Sequence, residues 1–313
     1  MSVETMLYSD LKSGSQYINI CRDLSWYNSK NMEHSDRDGN VYTYICNVKI
    51  HGSVENSISL GSAPNSWKMR NSFKKWHAYR DVMFKDAGVT ESEKGRYGKT
   101  IRPYLDTGMH TVADVRTPVG WDVSGTPPAQ TQEWTYTEIA AAPGFDAAAV
   151  GTEGQAAVDV YELNICGQNV ASATTTLGTE YYSEVGMIHS YNQDRQEIVT
   201  PTLDSETIEG HNNPLALLRF KGTAGGEVMD IVETQESEAP PYDINDGGAS
   251  TLVNTGDIMQ INPGWDGQNS IPVIRTSRVM VHGGILKLYT TAGDTDASIL
   301  VEVVGRVLSK DLA

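Results

Sequence analysis

Asp36, Asp38 and Asn40 stand at i, i+2 and i+4 in the run SDRDGN, the spacing at which the oxygen ligands of a calcium loop begin. The bidentate Glu that would complete such a loop is absent, because a strand-like run starts in its place. Asp243, Asn245 and Asp246 form a second acidic turn, and Asp294 with Asp296 a third. A solvated turn is the ordinary state of all three, and a calcium ion bound there is expected at an interface shared with another subunit. The seven His residues, at 34, 51, 77, 110, 189, 211 and 282, show no metal-ligand spacing and read as surface or strand-edge residues. No GxGxxG, GxxxxGK[ST], HExxH or GxSxG occurs. Forty Asp and Glu residues always offer carboxylate pairs, so no pair recommends itself for glycoside hydrolysis. Cys21, Cys46 and Cys166 contain no CxxC and are expected to be buried reduced thiols.

The other chemistry-bearing group is cationic. The chain of 313 residues has a net charge of −16, a sign that disfavours general nucleic-acid binding. Residues 67–102 reverse it, with ten Lys or Arg against four Asp or Glu, leaving a net −22 on the remainder. Lys68, Arg70, Lys74, Lys75, Lys85, Arg96, Lys99 and Arg102 are the exposed-cation candidates of this island. Such cations can pair with acidic neighbours in the same or an adjoining subunit.

These residues need elements to hold them. Ser66 is a helix-entry residue and Gly88 a stop, and the spacing predicts one amphipathic helix over 66–87. At 100° per residue, Met69, Phe73, Trp76, Tyr79, Met83, Phe84 and Ala87 share an arc of roughly 140°. Arg80 falls inside that arc and is expected to be paired or at a contact edge. Elsewhere the pattern is of strands. YINICRDLSWYN (17–28) and VYTYICNVKIHG (41–52) read as strands joined through the SDRDGN turn as a hairpin. Tyr42, Tyr44, Cys46, Val48 and Ile50 alternate with polar positions at period two. From residue 155, runs such as AVDVYELNICG, EVGMIHSYN, GDIMQINPG, SIPVIRTSRVMVHGGILKLYTT and ASILVEVVGRVL follow between turn clusters. Many short strands and one good helix predict an all-β sandwich, barrel or jelly roll, organised as a single domain over 1–313. The helix and basic segment 64–106 and a long surface excursion 106–155 are insertions in it. The start of the chain reads as no signal peptide and no apolar run reaches membrane-spanning length, so a soluble protein made in the cytoplasm and not inserted in a membrane is expected.

The runs NSWKMRNSFKKWHAYRDVMFKDAG and GRYGKTIRPYLD, with the C-terminal SRVMVHGGILKLYTTAGDTDASILVEVVGRVL, resemble the capsid proteins of small circular single-stranded DNA viruses of aquatic type. The resemblance covers both ends of the chain. It implies a jelly-roll coat subunit, a single jelly roll with long insertions favoured and a double jelly roll the alternative, that self-assembles into an icosahedral shell around DNA and has no enzymatic activity. Its place would be the virion, after synthesis in the host cytoplasm. Many such proteins carry an Arg-rich N-terminal arm; this chain begins MSVETMLYSDLKSG instead. Packaged single-stranded DNA would then meet Lys68, Arg70, Lys74, Lys75, Lys85, Arg96, Lys99 and Arg102 as phosphate contacts independent of base sequence. Two other classes remain open. One is a carbohydrate-binding β-sandwich or spike or fibre protein using Trp121, Trp134 or Trp265. The other is a β-rich hydrolase using a carboxylate pair.

Overall fold

A computed structural model describes residues 4–9, 11–52, 58–95, 98–112, 115–119, 134–141, 159–171, 182–196, 259–261, 273–290 and 297–312. The C-terminal runs form two long strands, β11 (Val273–Thr290) and β12 (Ser298–Leu308). Between them and on their flanks lie β1 (Thr5–Tyr8), β2 (Gly14–Asn19), β3 (Tyr42–Gly52) and β4 (Ile58–Ala63). β1 pairs with β12, β12 with β3, and β3 with residues 273–282 of β11, all antiparallel. Residues 285–290 of β11 pair antiparallel with β2 on one side and, over 286–290, with β4 on the other. β10 (Met259–Ile261) pairs antiparallel with β4, and the short β5 (Val115–Arg116) pairs parallel with β2. Strands dominate the described residues, and the curled sheets are compatible with a β-sandwich.

One apolar core takes alternate residues from nearly every strand. It joins Met6 and Tyr8 of β1, Tyr44, Cys46, Val48 and Ile50 of β3, Val279 and Val281 of β11, and Ile299 and Val301 of β12. Ile18 of β2, Ile58 and Leu60 of β4, and Leu286 and Leu288 of β11 enter the same core. The period-two alternation read in 41–52 is therefore the inward face of a central strand.

A second core covers the opposite face of β2 and the end of β11, where Tyr17 and Ile285 point. Against them pack α2 (Trp67–Asp86), α3 (Thr107–Val112) and a four-stranded sheet. That sheet has the order β6-β7-β9-β8, from β6 (Glu138–Ala141), β7 (Asp159–Asn164), β8 (Val170–Ala171) and β9 (Tyr182–Gly186). The helix expected over 66–87 forms with Ser66 as N-cap, its hydroxyl accepting from the Met69 amide. Met69 and Phe73 are fully buried and Trp76 nearly so, with the Trp76 ring edge-on to Tyr79 and Tyr161 at 5.4 and 6.2 Å. Trp76→Ala is expected to cost about 3 kcal/mol of stability, the loss of a large aromatic from a packed interior. An unchanged midpoint in chemical denaturation would show that this stripe is not core.

Three expectations are corrected. The run 17–28 is not one strand: β2 ends at Asn19 and α1 (Ile20–Asn28) begins there. The Asn19 side chain accepts from the Arg22 amide at 3.1 Å, and this cap turns an apolar run with strand composition into a helix. Cys21 and Trp26 therefore sit on a helix. The hairpin of 17–28 with 41–52 does not form either, because β3 lies between β12 and β11. EVGMIHSYN likewise splits into the end of β9 and α4 (Met187–Gln196), so four helices occur among the described residues where one was expected. None of them is long and apolar enough to cross a membrane. The three cysteines are buried, and burial pushes the Cys21 and Cys46 thiols up to about 12. Residue contacts divide the chain into a unit of 1–191 with 247–313 and a unit of 192–246; of the second, only the end of α4 is among the described residues.

Candidate functional site

The basic island does not gather on one face. Lys68 is only 5% exposed. Arg70 donates to Asn65 Oδ1 at 3.0 Å, and Arg80 donates to the Thr100 carbonyl at the contact edge expected for it. Arg102 donates to Asn31 Oδ1 and lies 4.3 Å above the Trp134 ring. Lys94 sits 2.6 Å from Glu91 and 3.5 Å from Asp81, and Lys99 sits 3.5 Å from Glu91. Much of the positive charge thus meets partners within the same segment. Lys74 and Lys85 are exposed, and Lys75 is half-buried. Lys74 and Lys85 share an outward line of α2 with Ala78 and Val82, about 16 Å apart at 1.5 Å per residue. Arg96 lies outside the described residues.

The acidic turn at 36–40 is closed from within. Asp36 Oδ1 accepts from the amides of Asp38 and Asn40 at 3.0 and 2.7 Å, and its Oδ2 accepts from Asn40 Nδ2 at 2.8 Å. The turn also packs on α2, where a Cβ at Gly39 would come within 2.9 Å of the Lys74 backbone. Asp36 is thus a turn-forming carboxylate. Asp243, Asn245, Asp246, Asp294 and Asp296 lie outside the described residues. Among the described residues, no group of three or more His, Cys, Asp or Glu could hold a metal ion.

The reading of the histidines as surface or strand-edge residues is overturned for three of them. His34, His77 and His282 are all buried. His34 is hydrogen-bonded through Nδ1 to the Gly283 carbonyl, and His77 through Nε2 to Ser35 Oγ at 2.8 Å. Thr43 Oγ1 lies 2.8 Å from His282 Nδ1 and 2.7 Å from Ser309 Oγ. A hydroxyl beside an imidazole can serve nucleophilic catalysis. Here all three residues are at most 3% exposed, so no substrate reaches them; they pin the terminal 3₁₀ turn Ser309–Leu312 onto β3 and β11.

A cluster that the sequence did not signal is built around His110. β7 and β9 run parallel, with Glu162 directly opposite Glu184. His110 of α3 bridges them, Nε2 at 2.5 Å from Glu162 and Nδ1 at 2.5 Å from Glu184. Each of the two ring nitrogens thus meets one carboxyl group. Tyr104 donates to Glu162 at 3.3 Å, and Asn164 Nδ2 donates to Glu184 at 3.2 Å. Burial raises the Glu184 carboxyl above the usual range, against the opposing pull of His110 and Asn164. A raised carboxyl stabilises the fold below its unfolded value and loses that contribution as pH rises through the folded one. Glu184→Gln is therefore expected to flatten the fall in stability between those two values. Superimposable stability-versus-pH curves for the two proteins would exclude this role.

A second buried carboxylate, Asp106, accepts from the Tyr17 hydroxyl at 2.8 Å, the Met109 amide at 2.8 Å and Lys287 Nζ at 2.9 Å. It ties α3 to β2 and β11. Trp134, a candidate sugar platform, is only 8% exposed beneath Arg102; Trp121 and Trp265 lie outside the described residues. On the other side of the molecule, the face of β1, β12, β3 and residues 273–282 of β11 turned away from the core shows Leu7, Met280 and Val304 at 43%, 41% and 54% exposure. No protein-family model, curated protein or solved structure matches this chain.

Proposed function

We propose that this chain is a jelly-roll coat subunit that self-assembles into a closed shell around DNA. The observation that carries the reading is the order of pairing. Eight strand segments in chain order are β1, β2, β3, β4, β10, 273–282 of β11, 285–290 of β11, and β12. The first pairs with the eighth, the eighth with the third and the third with the sixth. The second pairs with the seventh, the seventh with the fourth and the fourth with the fifth. This order supports a reading as two Greek keys wrapped as a jelly roll, an architecture of viral coats and of lectins. α2, α3, the four-stranded sheet and α4 then occupy one insertion, between the fourth and fifth strands.

A fold alone does not choose between a coat and a lectin. The coat is favoured by the resemblance in the α2 and C-terminal runs, and by the exposed sheet face, which a shell would cover. Genome contact through this chain falls to the exposed Lys74 and Lys85, with Lys75 beside them, as point charges on phosphate. Size-exclusion chromatography with light scattering and absorbance at 260 and 280 nm tests the reading. Uniform megadalton particles are expected, and Lys74→Glu with Lys75→Glu should lower their nucleic-acid content. A monomer of the chain mass, 34.2 kDa, at every salt concentration and pH would overturn the coat. Glycan binding by that monomer would favour the lectin.

A further inference from the structure

We infer that the exposed face of β1, β12, β3 and β11 is a self-complementary contact on which a second copy of this chain docks about a two-fold axis running along β3. The inference rests on the coat reading and names the partner of one of its surfaces.

The strand registers set out the face in rows. Glu302 of β12, Asn47 of β3 and Arg278 of β11 lie side by side in one row. In the next row Ile45 of β3 lies opposite Met280, and Val304 sits at the register shift of β12 between Val303 and Gly305. The side chains of Arg278, Met280 and Val304 are exposed and that of Glu302 is half-buried. Their neighbours Val279, Val281, Val301 and Val303 point into the core, so this row of side chains faces outward. Among the described residues Arg278 forms no ion pair and the Glu302 side chain is held only by Asn47 Nδ2 at 3.4 Å.

A half-turn about an axis along β3 lays β12 of one copy over β11 of the other while keeping each row in place. Glu302 then meets Arg278 of the second copy, and Arg278 meets its Glu302. In the adjoining row Val304 meets Met280, twice over. Within these two rows opposite charges and apolar surfaces match together, as an isologous contact requires; Lys49, exposed on β3 two residues from Asn47, lies on the axis and meets its own copy. A half-turn across the strands would instead set Glu302 against Glu302 and Arg278 against Arg278, so the axis along β3 is selected by charge. The opposite face of the sandwich is not available for this contact, because α2 and the four-stranded sheet cover it.

Charge exchange in the full chain tests the contact. Sedimentation velocity over a concentration series should show self-association that weakens with salt. Arg278→Glu alone and Glu302→Arg alone should each weaken it about tenfold or more, since each creates two like-charge meetings per dimer. The double variant should recover wild-type association, because the pairs are restored with signs exchanged. Melting temperatures should change little, since Arg278 is exposed and Glu302 is only half-buried with one long hydrogen bond. Single variants that associate like the wild type would overturn the contact, as would a double variant weaker than either single one. If particles form with both single variants unaffected, this contact fails and the coat reading stands. If charge-dependent dimers form and no particle ever does, the coat reading fails and the contact stands.

Discussion

Below about pH 6.5 this protein is expected to lose about 3 kcal/mol of stability for each of two buried imidazoles by the time the pH reaches about 4. His34 is wholly buried, and burial lowers it from 6.5 to about 4, with the nearby Arg102 charge adding to the effect and the Gly283 carbonyl opposing it. His77 is lowered to about 4 as well, first by burial and then by Arg80, against the pull of Asp36, Asp81 and Asp38. A histidine lowered in the folded state takes up its proton first in the unfolded chain. Its stabilising contribution is present above the unfolded value of about 6.5 and is lost as pH falls toward the folded one. Urea denaturation at about pH 7 and about pH 4.5 measures the difference. His77→Gln, and separately His34→Gln, should each flatten the acid limb, and an acid limb unaltered in both variants would refute the assignment. Glu184 acts in the opposite direction, so the Glu184→Gln curve separates the two contributions.

Gly284→Ala is expected to destabilise the fold by about 2–5 kcal/mol, from two additive causes. Gly284 has φ +70, which an L side chain adopts only at a cost of about 1–2 kcal/mol. Its new Cβ would also fall well inside contact distance of Cys21 Sγ and 3.0 Å from the Tyr44 ring, both in the packed core. The neighbouring Gly283, at φ +69, separates the causes. There a Cβ meets only the far end of the Ile165 side chain at 3.2 Å, so Gly283→Ala should show the backbone cost with little overpacking. Equal losses at the two positions would exclude the overpacking contribution. The pair matters to the whole fold, because it lies in β11 where pairing passes from β3 to β2 and β4. His34 bonds to the Gly283 carbonyl at that same place, so acid and the Gly284 substitution act on one corner of the molecule.

α2 was legible in the sequence because a helix is closed by its own local bonds. Ser66, the spacing of Met69, Phe73 and Trp76, and the stop near Gly88 all act within a few residues of one another. β3 was legible for a similar reason: two-residue alternation records that one face is buried, whatever buries it. α1 was misread as strand because Ile20, Cys21 and Leu24 suit either element, and a single cap at Asn19 decided between them. The charge of residues 67–102 was plain in the sequence, but its use was not. Whether Arg102 meets a phosphate or Asn31 and the Trp134 ring depends on where distant segments fold.

By itself, then, the sequence determined the strand-rich class, the one long helix and the alternating face of the central strand, because each follows from contacts close in the chain. Only the tertiary structure decided that β3 lies between β11 and β12, that His34, His77 and His282 are interior, and that His110 stands between Glu162 and Glu184. Each of these joins residues that are far apart in the chain, and their meeting is set by which apolar faces bury one another. No local spacing records that choice.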